Sequence, residues 1–92
     1  MVEISDALPG ADLVRAGLRD LENGVESIES LLVQIGAPRL QALGFNVPRT
    51  TLPEHKLYDK LAAEDSDTAH SRYNALLRRL ISFERAAECV SA

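Results

Sequence analysis

The chain of 92 residues has little cysteine and few aromatic residues, and both shortages limit what it can be. Its single cysteine, Cys89, excludes an internal disulfide, so we expect a reducing, cytoplasmic compartment. Tryptophan is absent, and the aromatic residues are two tyrosines and two phenylalanines. The core must therefore consist mainly of Leu, Ile, Val and Ala, which is usual where helix packs on helix.

Several other signals are missing as well. No long apolar run follows a basic segment, so we expect neither a signal peptide nor a membrane-spanning helix. The catalytic and phosphate-binding motifs that we sought do not occur, and His55 and His70 lack partners at metal-ligand spacing. We therefore predict no enzymatic activity, no cofactor and no metal. Alternating runs of strand formers are also absent, so no sheet is expected.

Composition indicates one globular domain over residues 1–92, with 1–8 as a lead-in, because 46% of residues are apolar and 26% are charged. The net charge of −4 disfavours general nucleic-acid binding, which requires a basic surface. The charge is uneven. Residues 1–30 carry seven acids and two arginines, whereas residues 70–92 carry four arginines and two glutamates. We expect the two ends to attract each other.

The longest uninterrupted segment runs from Asp67 to Val90 and contains neither glycine nor proline. Its apolar residues recur at steps of three and four, which predicts one buried side of a helix. They are Ala69, Tyr73, Leu76, Leu80, Phe83, Ala87 and Val90. Leu77 and Ile81 are expected to widen this apolar band. A helix of this length exceeds each of its partners. Either consecutive partners stack along it or a second chain covers the remainder, and we predict a homodimer.

Glycine and proline divide the rest of the chain into four shorter helices. We expect a first helix with Pro9 in its first turn that Asn23-Gly24 ends, a second over Val25–Ile35, a short one over Pro38–Leu43, and a fourth that Pro53 opens and Glu64-Asp65-Ser66-Asp67 breaks. The expected N-caps are Ser5 or Asp6, then Asn23 or Ser27, then Thr51 or Leu52, and Ser66 or Asp67 for the final helix. Gly17 is expected to let another helix approach closely.

These elements predict an all-α fold: a small antiparallel helical bundle of four helices plus one short helix, with the long C-terminal helix as its spine. The polar side of that helix is the predicted partner-binding surface, because arginine pairs well with acidic groups. Its residues are Arg72, Asn74, Arg78, Arg79, Ser82 and Arg85. The predicted function is a protein-interaction module: an adaptor, a partner subunit, or the neutralising member of a two-protein system.

An alternative hypothesis is a dimeric DNA-associated regulator. Residues 31–44 have the outline of a helix-turn-helix, with Gly36 at the turn and Pro38–Leu43 as the recognition helix. Gly44 leaves that helix under two turns long, and Arg39 is its single cation. The sequence therefore favours a packing corner, and nucleic acid is the less favoured partner. A third hypothesis is an enzyme or a ligand binder, which requires Tyr58, His70 and Tyr73 to line a cleft together.

Overall fold

A computed structural model of the chain describes residues 7–48 and 52–91. These residues form five helices and no strand: α1 Ala11–Glu22, α2 Ile28–Ile35, α3 Ala37–Ala42, α4 Pro53–Glu64 and α5 Ala69–Ser91. The predicted all-α bundle of four helices and one short helix is therefore confirmed. The buried apolar residues belong to one core cluster, to which every helix contributes.

The 23 residues of α5 form the spine, and α1, α2 and α4 all contact it. The predicted apolar side is confirmed over most of its length, because Ala69, Leu80, Phe83 and Ala87 are buried. Tyr73, Leu76 and Leu77 pack partly buried against the core. Two expectations were wrong: Ile81 is 41% exposed and Val90 is 75% exposed. At 3.6 residues per turn, Ile81 is turned about 100° around the helix axis from Leu80, and Val90 is turned about 80° in the opposite direction. Each therefore lies at an edge of the buried side.

Successive helices along the chain therefore cover the buried side of α5. A homodimer was predicted because the buried stripe of α5 is longer than any single partner helix. Because three helices share that stripe, packing within one chain accounts for it without a second copy. The homodimer remains a prediction.

The α1 and α2 helices form an antiparallel hairpin, as predicted. Gly17 permits their close approach, because a methyl group there would overlap the carbonyl oxygen of Glu29 and lie 2.7 Å from Val33 Cγ1. The Ser27 side chain donates to Asp20 Oδ2 at 2.6 Å and so connects the two helices. Ser27 also caps α2, since its Oγ accepts from the Ser30 N–H while the Ser30 Oγ accepts from the Ser27 N–H. This capping box starts α2 at Ile28, three residues after the predicted start.

Other helix starts also differ from the predictions. The α1 helix begins after Gly10, whose φ of 74° is accessible to glycine, so Pro9 lies in the preceding turn. The α4 helix begins after Leu52, one of its two expected caps, although no side chain caps it. The α5 helix starts at Ala69, one or two residues later than the expected caps Ser66 or Asp67 imply: Asp65 Oδ1 accepts from the Asp67 N–H and holds the turn before it. The remaining expected caps Ser5, Asp6 and Thr51 lie outside the described residues.

Candidate functional site

The arginines of α5 fall into two classes. Arg72 Nη1 lies 2.9 Å from Glu64 Oε1, at the end of α4. Arg79 Nη2 donates to both carboxylate oxygens of Asp12 on α1, at 2.9 and 3.2 Å. The Arg79 charge and hydrogen bond lower the pKa of Asp12 despite the opposing effect of burial. The attraction predicted between the acidic and basic ends is thus made within one chain, and these two arginines serve the fold.

Arg78 and Arg85 belong to the second class. Both are exposed, and neither forms an ion pair or a hydrogen bond with another described residue, although the Arg85 charge contributes to the lowered pKa of Glu88. They are seven residues apart and so share one face of α5, together with the exposed Ser82. This is the part of the predicted partner-binding surface that the structure leaves open.

Asn74, the sixth predicted contact residue, lies elsewhere. Its side chain lies 3.2 Å from His70 Nε2 and lines a different cavity, between α4 and α5. Three of the six predicted residues, Arg78, Ser82 and Arg85, are therefore gathered on one open surface.

Ile81 lies between Arg78 and Arg85 along α5 and is exposed. Beside it is a cavity of about 390 Å³ between α5 and the corner that joins α2 to α3, which we call the α3–α5 groove. Its lining includes Ile35, Pro38, Arg39, Leu77, Ile81 and Glu84. The groove was not predicted, because Ile81 was expected to face the core.

Glu84 is unusual among the residues of the groove, because this charged residue is buried and only 2% exposed. Its Oε1 lies 3.4 Å from Arg39 Nη1, whereas its Oε2 has no hydrogen-bond partner. Burial raises the pKa of Glu84, the Arg39 charge opposes that rise, and the Glu88 charge adds to it. Arg39 also pairs with Glu88, whose pKa it lowers through their hydrogen bond. The spacing four residues after Leu80 was the available signal that Glu84 faces inward.

The helix-turn-helix-like corner packs against α5. The α3 helix has six residues, Leu40 is buried, and Arg39 is engaged by Glu84 and Glu88. A methyl group on Gly36 would lie 2.7 Å from Glu84 Oε2 and 3.1 Å from the Leu80 methyls. These contacts are those of the packing corner that the sequence favoured.

A second cavity of about 390 Å³ lies between α4 and α5, and we call it the tyrosine cleft. It brings Tyr58, His70 and Tyr73 together, as the third hypothesis required. The two tyrosine rings meet edge to face with centroids 5.7 Å apart. Burial, with a smaller effect from the Glu54 charge, raises the pKa of Tyr73. This cleft is also lined by Glu54, His55, Asp59 and Asn74, which were not predicted there. The available signal was that Glu54 lies one helical turn before Tyr58.

The described residues contain neither a metal-binding cluster nor a membrane-spanning helix. No group of three or more His, Cys, Asp or Glu residues within 7–48 and 52–91 is arranged to hold a metal ion. None of the helices in these ranges combines the length and apolar character needed to cross a membrane.

Comparisons of the chain with protein-family models, curated proteins and solved structures find no match.

Proposed function

We propose that the chain is a cytoplasmic protein-interaction module, an adaptor or partner subunit without catalytic activity of its own. Its contact surface is the α5 face, defined as Arg78, Ile81, Ser82 and Arg85 together with the adjoining α3–α5 groove. One observation carries the proposal: an exposed isoleucine lies between two arginines that form no ion pair with a described residue, at the edge of an open apolar groove.

The chemistry of this face favours a protein partner. An apolar centre with a charged rim is the usual composition of a protein–protein interface, and arginine is enriched among its energetically dominant residues. The groove offers a place for one apolar side chain beside Ile81 and Leu77. The exposed guanidinium groups of Arg78 and Arg85 would pair with carboxylates on the same partner segment. The partner we propose is therefore an acidic segment with an apolar anchor residue.

A homodimer, which the sequence also predicted, would use another surface. A symmetric contact through the α5 face would place the arginines of one copy against those of the other, and like charges disfavour such an interface. The molar mass in solution, measured by light scattering, tests this part of the proposal. A dimer that persists when Arg78 and Arg85 are reversed to Glu would locate its interface outside the α5 face.

A DNA-associated regulator remains the alternative proposal. Arg78 and Arg85 are also suited to phosphate groups, and such contacts weaken steeply as salt is raised. Arg39, the cation of the helix-turn-helix-like corner, is occupied by two glutamates. The protein partner is therefore favoured, and DNA is one outcome of the experiment.

Affinity capture of the tagged chain from its native host, with and without nuclease, tests the proposal. The informative variant is Arg78→Glu with Arg85→Glu, and the control is Arg19→Glu with Lys60→Glu, which changes the net charge equally on α1 and α4. We expect a nuclease-resistant protein that the wild type and the control capture and the α5 variant loses. Equal capture by all three proteins would refute the assigned surface, whereas loss on nuclease treatment would favour DNA.

A further inference from the structure

We infer that the tyrosine cleft is a binding site for an organic cation, specifically an ammonium group that carries alkyl substituents. The inference does not depend on the α5 face, because the cleft lies at the other end of α5, between that helix and α4. The aromatic walls, the charge and the size of the cleft each favour this class of ligand.

Two tyrosine rings form the apolar part of the cleft. The planes of Tyr58 and Tyr73 are inclined at 63°, so the rings form two walls of different orientation. Tyr58 remains 38% exposed, which leaves ring surface available to a ligand. An aromatic face attracts a cation within about 6 Å of its centre through the negative charge density of the ring. Pairs of such walls suit alkylated ammonium groups, whose charge is spread over apolar surface.

The charge of the cleft has the matching sign. Glu54 and Asp59 both line it, and neither forms an ion pair with a described residue. No lysine or arginine is found among the described residues that line the cleft. Glu54 also lies close enough to raise the pKa of Tyr73 through its negative charge. A cation entering the cleft would therefore meet two uncompensated carboxylates next to the aromatic rings.

The size of the cleft favours an organic ligand over a bare metal ion. A cavity of about 390 Å³ falls within the general range of ligand pockets, about 300–1,000 Å³. Its four His, Asp and Glu side chains contain no group of three arranged for a metal, in the part of the chain that the structure describes. Alkyl substituents would fill the space along the rings, and the Asn74–His70 pair on one wall offers polar contacts to a hydroxyl group of the ligand.

Tyrosine emission is a specific probe of this site. The chain contains two tyrosines and no tryptophan, and both tyrosines line the cleft. The experiment titrates the full chain with choline chloride and follows tyrosine fluorescence. Parallel titrations use sodium chloride and 3,3-dimethylbutan-1-ol, the uncharged analogue of choline. We expect a saturable change with choline alone and a Kd of about 1–10 mM, the strength of a few exposed cation–π and charge contacts.

Variants separate the two contributions. Tyr58→Leu should abolish the choline response, with Tyr73 as the remaining reporter. The double variant Glu54→Gln with Asp59→Asn should raise the Kd about three- to tenfold by removing the charge contacts. Its control, Glu22→Gln with Glu29→Gln, makes the same change in net charge on α1 and α2, where neither residue lines the cleft, and should bind as the wild type does.

Three results would overturn the inference. They are no saturable change up to about 50 mM choline, an equal response to the uncharged analogue, and unchanged affinity in the Glu54 and Asp59 variant. Circular dichroism confirms that each variant is folded. If Tyr58→Leu fails to fold, the carboxylate variant and the uncharged analogue still decide the question. None of these results bears on the α5 face, so the two proposals fail independently.

Discussion

At the scale of single residues, Gly17 determines how closely α1 can approach α2. A Cβ at this position would overlap the Glu29 carbonyl oxygen and crowd Val33. Alanine has the higher helix propensity, by about 0.5–1 kcal/mol, so the two effects have opposite signs. Because the overlapped atom belongs to the backbone, the helices must move apart.

We therefore expect Gly17→Ala to lower the free energy of unfolding by about 1–3 kcal/mol, the usual cost of overpacking. Urea unfolding followed by circular dichroism measures it. A gain in stability would mean that helix propensity dominates and that the α1–α2 contact is loose.

Glu84 shows how a buried charge affects stability. Its folded-state pKa lies above the ordinary value of about 4.3, because burial outweighs the attraction of Arg39. At a pH between the Glu84 pKa of the unfolded chain and that of the folded chain, the folded chain binds more protons than the unfolded chain. The contribution of Glu84 to stability therefore falls as pH rises. This loss is complete above the folded-state pKa. The groups facing Glu84 are Arg39 on α3 and Glu88 on α5.

We expect Glu84→Gln to raise the free energy of unfolding at pH 7 by about 1 kcal/mol, since it replaces a buried carboxyl group whose charged form is disfavoured by burial and whose Oε2 has no hydrogen-bond partner. The difference between variant and wild type should shrink as pH falls below the ordinary carboxyl range. Comparing the two proteins cancels the opposite slope of Asp12, which pairs with Arg79 and whose pKa is lowered. A variant less stable than the wild type at pH 7 would show that the Arg39–Glu84 pair is net stabilising.

At the scale of the helices, two neighbouring residues on α5 have contrasting roles. Leu80 is 3% exposed and Ile81 is 41% exposed, although both are large and aliphatic. Leu80→Ala should therefore cost about 2–5 kcal/mol of unfolding free energy, the usual range for a buried leucine. Ile81→Ala should cost less than about 1 kcal/mol, because much of its side chain already contacts water.

Thermal or urea unfolding of this matched pair tests the orientation of α5. A loss below about 0.5 kcal/mol for Leu80→Ala would show that α5 is turned differently about its axis. If Ile81→Ala costs as much as Leu80→Ala, then Ile81 is part of the core and is not available to a partner.

Helical periodicity explains why the sequence predicted the helices and most of the core. Steps of three and four identify Leu80 and Phe83 as buried, and glycine and proline separate the elements. The same pattern misplaced Ile81, since the width of a buried face depends on which helices lie beside it. The groove forms where Arg39 of α3 meets Glu84 of α5, two residues that are far apart in the chain. No local pattern encodes such a contact.

At the scale of the whole molecule, the charges are used in two different ways. Asp12 with Arg79 and Glu64 with Arg72 hold the outer helices to α5. Exposed pairs of this kind stabilise a fold by only about 0–1 kcal/mol each, so they serve mainly to orient the helices. Arg78 and Arg85 have no such role among the described residues. Their position beside an exposed isoleucine is the basis of the proposed function.

The central claim is that the α5 face contacts a protein partner, and site-specific photo-crosslinking in the native host tests it most directly. Benzoylphenylalanine replaces Ile81 in one sample and the exposed Ala63 of α4 in the control. We predict one protein adduct from position 81, absent at position 63 and lost when Arg78 and Arg85 are changed to Glu. No adduct at position 81, or the same adducts at both positions, would contradict the proposed contact surface.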